Sequence, residues 1–128
     1  MCLNIYYFVL YYSRQGDIML KVDMKYEKGI LYVRLKGDLT RKMCYKINNY
    51  IVPAVLKHKI KYLVFNMFEL TEIDESGMDA LLNTKCAIRA NKGKICLCEV
   101  SDEVRSKIKK LRMHIASNEL AAYRLIEI

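Results

Sequence analysis

Asp74, Glu75, Ser76 and Gly77 stand in a row, with Glu72 just before them and Asp79 just after. Clustered carboxylates offer the oxygen ligands that Mg²⁺ takes, and a serine becomes a nucleophile when a neighbouring base activates it. Neither chemistry is completed here. Ser76 has no histidine near it in sequence, and no Gly-x-Ser-x-Gly elbow is present. The acids have a plainer use, because negative side chains stabilise the first turn of a helix. Phosphate-loop and dinucleotide fingerprints are absent. The five cysteines, Cys2, Cys44, Cys86, Cys96 and Cys98, include no Cys-x-x-Cys pair, and His58 and His114 fall far from them. They read as buried, reduced thiols of a cytosolic protein. The chain is therefore not read as an enzyme, and no metal, cofactor or small-molecule substrate is assigned to it.

The elements around the acidic turn say what the turn is for. Lys61–Met67 is rich in β-branched and aromatic residues and reads as a buried strand. Asp74 is a good helix N-cap, followed by Met78, Leu81, Leu82 and Cys86 at helical spacing. A strand thus delivers Asp74–Gly77 to the start of a helix, where unpaired N–H groups and partial positive charge suit an anion.

This stretch resembles the signature of the STAS domain, in particular the bacterial anti-sigma-factor antagonists. That family places a hydrophobic strand ending in Asn or Asp before a turn of the type Asp-Ser-Ser/Thr-Gly-Leu that opens a helix. Asn66, Leu70, Asp74, Ser76, Gly77 and Met78 fill matching positions, and Gly37-Asp38-Leu39-Thr40 resembles the family's link from its second strand to its first helix. The resemblance covers about residues 20–128. It implies a protein-interaction module that binds an anti-sigma factor with serine-kinase activity, in a partner-switching pathway that frees a sigma factor for transcription. It implies a cytoplasmic protein, monomeric or weakly dimeric. In the antagonists the residue directly after the Asp is the serine that the kinase phosphorylates, and here that residue is Glu75. Glu75 has no hydroxyl to phosphorylate. It implies either a switch locked in a state like the phosphorylated one or an adapted partner. Ser76 is the possible substitute, set below a structural role in the first turn. The resemblance places partner binding at Asp38, Thr40, Asp74, Glu75, Ser76, Gly77 and Met78. Met78 is assigned an apolar contact and Gly77 close backbone approach, against the plainer view that both serve the helix's own packing.

The rest of the chain supplies the scaffold. Leu20–Glu27 and Ile30–Leu35 alternate apolar and polar residues around Lys28-Gly29, a hairpin. Thr40 is placed to cap a helix running to about residue 58, with Cys44, Ile47, Ile51 and Val55 as its stripe and Pro53 kinking or dividing it. The second helix runs to about Asn91, with Gly93 suited to a left-handed cap. Lys94–Val100 is a strand, Ser101 and Asp102 open a third helix, His114–Ala116 is a short strand, and Asn118 caps a terminal helix containing Leu120, Ala121, Tyr123 and Leu125. Strands alternating with helices after a hairpin predict an α/β fold, a mixed sheet of four or five strands with the helices packed on one face.

Met1–Asp17 sits badly with that scheme, because Ile5–Tyr12 is an aromatic run with neither the basic flank nor the cleavage site of a signal peptide. Gly16-Asp17 can be encoded by a purine-rich, ribosome-binding-like stretch ahead of Met19. Residues 1–18 are thus expected to be a non-native or disordered extension of a single domain, residues 19–128. The competing reading is an extra edge strand. No run reaches the roughly 18 apolar residues of a membrane span. The net charge of +8 is densest at Lys57–Lys61 and Arg105–Arg112. A basic nucleic-acid-binding domain is the alternative function, but neither a recognised motif nor an aromatic stacking set accompanies the charge.

Overall fold

The computed structural model describes the backbone of residues 6–10 and all of residues 20–126. Met19 and Cys2 lie outside the described residues. The hairpin forms as its alternation predicts: β2 (Leu20–Glu27) pairs antiparallel with β3 (Ile30–Leu39), and Tyr6–Leu10 adds β1 along the free side of β2. Those five residues lie within the aromatic run Ile5–Tyr12. Beyond β3 the strands are parallel, with β4 (Tyr62–Ile73), β5 (Lys94–Cys98) and β6 (His114–Ala116) laid down in sequence order. The sheet has six described strands, of which β2 to β6 form the mixed five-stranded sheet expected and β1 adds one at its edge.

A sheet that grows in one direction through same-handed crossovers puts every crossover helix on one face. The helical stretch ending in α1 (Val52–Lys57), then α2 (Glu75–Ala90) and α3 (Asp102–Ile108), fill these crossovers. Ile47, Ile51, Val55, Leu81, Ile88, Val104 and Ile108 pack there against Leu20, Val33, Leu63, Phe65 and Leu97. α4 (Glu119–Ile126) does not join two of the described strands, so that rule does not bind it. It covers the opposite face, where Ala122 and Ile126 pack on Val64, Cys96, Cys98 and Ala116, so one-faced packing holds for the crossovers alone. Leu120 and Leu125 of this helix are exposed. Being covered on both faces, β5 is apolar throughout Ile95–Cys98. Burial pushes the Cys98 thiol up to about 12 and raises Cys96 too, so both are inert thiols.

α4 is pinned by charge as well as packing. Arg34 on β3 donates Nε and Nη2 to the two carboxylate oxygens of Glu119, both at 2.8 Å, and Asn66 on β4 donates Nδ2 to Glu119 at 2.9 Å. The Arg34 hydrogen bond holds the Glu119 carboxyl below its usual range, against the opposing effect of burial. A carboxyl depressed in the folded state stabilises above its ordinary value of 4.5 and stops doing so as pH falls through the folded value. Wild type is expected to lose about 1 kcal/mol more than Glu119→Gln between pH 5 and pH 3, the half-exposed Arg34 limiting the size. Urea titrations at the two pH values read this directly, and parallel losses would refute it.

Three local details refine the sequence expectation. Pro53 divides the first helix, standing in the first turn of α1. The turn before it, Ile47–Ile51, widens to a π-helical turn in which Val52 N–H reaches back to the Ile47 carbonyl. That widening makes room where a proline ring would otherwise meet the carbonyl four residues earlier. Within this stretch Lys46 is buried, donating Nζ to the Leu20 carbonyl at 2.6 Å, and burial lowers its pKa. At the end of α2 the left-handed residue is Lys92, with φ of 62°, while Gly93 N–H bonds the Ile88 carbonyl. Gly93 is needed for a different reason: a Cβ there would lie 1.8 Å from the Lys61 carbonyl oxygen.

The third detail is the length of β4, which continues through Phe68–Ile73 directly to Asp74. Its pairing with β3 slips twice, Arg34 and Lys36 facing Asn66 and Glu69, then Gly37 and Asp38 facing Leu70 and Glu72. Each slip is a bulge with one extra residue in β4. The bulges change the inward period from two to three, so Met67, Leu70 and Ile73 all point to the core. Two side chains sit at the slips. Asn66 Oδ1 accepts the Phe68 N–H at 2.9 Å, and Thr71 Oγ1 donates to Asp38 Oδ1.

Candidate functional site

The bulged end of β4 aims Asp74 at the end of β3. Asp74 adopts extended backbone and caps α2, its Oδ1 accepting the Gly77 N–H at 2.9 Å. Its other oxygen accepts the Arg41 N–H at 2.9 Å, and its own N–H donates to the Leu39 carbonyl at 3.3 Å. One residue therefore ties the Leu39–Arg41 loop to the first turn of α2. The positive end of that helix is met by the chain's own carboxylate.

Gly77 makes the tie close. It is buried, and a Cβ on it would stand 2.1 Å from the Leu39 carbonyl oxygen. The backbone approach expected of Gly77 is thus made within the chain. Met78 is only 6% exposed and belongs to the main core, so its apolar contact is internal too. Asp38, at 9% exposure, accepts from Thr71 rather than facing outward. Thr40 is half-exposed, and its carbonyl accepts the Met43 and Cys44 N–H groups at 2.9 and 2.8 Å, starting the helical stretch.

What faces solvent at this corner is Glu75, with Ser76 half-exposed beside it. Glu75 does not stand alone. Lys110, in the 3₁₀ turn Lys109–Leu111 that follows α3, places Nζ 3.0 and 3.2 Å from its two carboxylate oxygens. Lys85 on α2 donates Nζ to the Leu111 and Arg112 carbonyls at 2.9 and 3.2 Å, holding the end of that turn. The expected residues are thus brought together at one corner, but in two layers. Asp38, Gly77 and Met78 build it from within, while Thr40, Glu75 and Ser76 form its surface. Thr71 and Lys110 are the participants that sequence reasoning missed. Each acts on a residue more than thirty positions away, and no local pattern marks either.

The acids do not converge on a common point, since Asp74 turns to backbone N–H groups and Glu75 to Lys110. Among the described residues no group of three or more His, Cys, Asp or Glu side chains is placed to hold a metal ion. Two concavities of the molecule lie elsewhere, one lined by Tyr32, Arg34 and Glu119 and one along α4. The corner presents a surface.

The STAS domain model matches residues 21–119. The chain belongs to the STAS domain family. It is 25% identical over 114 residues to the anti-sigma F factor antagonist of Paenibacillus polymyxa, covering 85% of this chain and 97% of that protein. Among solved structures, the anti-sigma factor antagonist SpoIIAA in its unphosphorylated form superposes with a TM-score of 0.70 at 22% identity, covering 85% of this chain and 99% of that one. The Bacillus cell-fate determinant SpoIIAA in its phosphorylated form gives 0.66, also at 22%, covering 83% and 98%. The STAS fold therefore accounts for the mixed sheet and for the strand-to-helix corner at Asp74. No helix among the described residues is long and apolar enough to cross a membrane.

Proposed function

We propose that this STAS domain is an antagonist of an anti-sigma factor that carries serine-kinase activity, and that it frees a sigma factor by occupying that partner. The observation that supports the reading is the corner itself, in which Asp74 locks the Leu39–Arg41 loop onto α2 and leaves Glu75 and Ser76 on the surface. Recognition is assigned to Thr40, Glu75 and Ser76 as the exposed contacts, with Asp38, Asp74, Gly77 and Met78 holding the shape they are read in. A surface of this kind suits a protein partner, chosen by charge at its rim. The protein acts in the cytoplasm as a monomer or weak dimer and catalyses nothing itself.

The test is calorimetry between the purified chain and the serine-kinase-type anti-sigma factors of its source organism, with release of the bound sigma factor followed on a sizing column. One of them is expected to bind with a Kd of about 1 μM or tighter. The absence of heat with every such protein would overturn the proposal. Retention of the chain on DNA that weakens steeply with salt would favour the basic-domain alternative instead.

A further inference from the structure

Glu75 brings a permanent negative charge to the partner-facing corner, and the ion pair with Lys110 decides what a partner meets there. We infer that Lys110 masks Glu75, so that this protein behaves as the unmodified, binding-competent form rather than as a locked copy of a phosphorylated one. The inference rests on the proposed function and concerns the regulation of the same corner.

Three observations carry it. The first is contact: Lys110 Nζ lies within 3.0 and 3.2 Å of both Glu75 oxygens. The second is anchorage. Lys85 grips the Leu111 and Arg112 carbonyls from α2, and Leu111 is buried, so the residue next to Lys110 is fixed against the same helix that carries Glu75. Lys110 therefore starts from a held backbone, and only its side chain needs ordering. The third is the size of the charge. A phosphoserine carries about −1.5 to −2, which one lysine leaves well short of neutral. Glutamate carries one charge, which one lysine cancels. The two side chains remain 57% and 75% exposed, so the pair adds little to stability. Its consequence is the field at the corner, which a docking partner reads at short range.

Lys110 is thus a positioning residue acting through Glu75. It cancels the charge of Glu75, where bare glutamate would repel a partner suited to an uncharged serine. It also makes the 3₁₀ turn part of the docking surface, because that turn carries Lys110 to Glu75 at the corner.

Two measurements test this. A zero-length carbodiimide joins an amine to a carboxylate only when they touch, and it needs no partner. An amide between Lys110 and Glu75 is expected by peptide mass spectrometry, and its absence would overturn the masking. The second is a double-mutant cycle on affinity for the serine-kinase anti-sigma factor. Lys110→Gln is expected to weaken binding about tenfold by exposing Glu75, Lys110→Arg to restore it, and Lys110→Gln on a Glu75→Gln background to change it less than about twofold. An equal loss on both backgrounds would overturn the inference, as would a wild type that fails to bind where Glu75→Gln succeeds. Failure of every chain to bind would overturn the proposed function instead, and the cross-link tells that outcome apart.

Discussion

Gly77→Ala is expected to destabilise the domain by about 2 kcal/mol, with two opposing effects deciding the sign. Alanine within a helix is worth up to about 1 kcal/mol over glycine. Against it, the new methyl would stand 2.1 Å from the Leu39 carbonyl oxygen and 3.0 Å from Ile73 Cγ1. The nearer atom is backbone, so no rotamer change relieves the contact. Either β3 or α2 has to shift, and forced overpacking of this kind costs about 1–3 kcal/mol or more. The shift also strains the Asp74 N–H bond to Leu39 and the Arg41 N–H bond to Asp74, which together fix the corner. Urea unfolding would show a lowered midpoint with unchanged slope. Ser76→Ala, in the same turn but half-exposed, is the control expected to stay within about 0.5 kcal/mol of wild type. A Gly77→Ala protein as stable as wild type would show that the two segments do not need this approach.

The second large effect is all-or-none. Incubated with its cognate kinase and ATP, the wild type is expected to take up no phosphate, whereas Glu75→Ser is expected to be labelled at residue 75. The wild-type result follows from chemistry, since a carboxylate offers no hydroxyl. The mutant result follows from placement, because residue 75 is exposed in the first turn of α2, directly after the cap. The exchange removes one favourable charge at a helix N-terminus, a loss of about 0.3–1 kcal/mol, so the mutant should fold. Phosphate there would then carry more charge than Lys110 can cancel. Strong labelling of the wild type at Ser76 would overturn this, and would make Ser76 the working switch.

Much of this architecture is legible along the chain. Asp74, Ser101 and Asn118 each cap the helix that follows by accepting an N–H three residues on, and each is visible as a short polar residue before an apolar stripe. The hairpin and the face of each early strand follow from period-two alternation. The end of β4 was not legible for the same reason. Met67, Leu70 and Ile73 recur every third residue, a spacing foreign to a flat strand, and only two bulges against β3 bring them to one side. In the sequence, Asp38 and Met78 look the same as surface contacts or as covered residues, because polarity at a loop and an apolar residue in a first turn carry no sign of the neighbours above them. Thr71 and the packing of α2 cover them.

The sequence alone determined the order and type of the elements from β2 onward, the caps that start α2, α3 and α4, and Glu75 as a residue without a hydroxyl at the exposed turn. These are set by chemistry and by spacings of a few residues, which a chain carries with it wherever it folds. The tertiary structure alone decided that α4 takes the far face, that Asp38 is consumed inside the corner, and that the charge of Glu75 is met by Lys110, 35 residues away. Such pairings depend on where the sheet's crossovers return the chain, and separations of that length leave no periodic trace from which to read them.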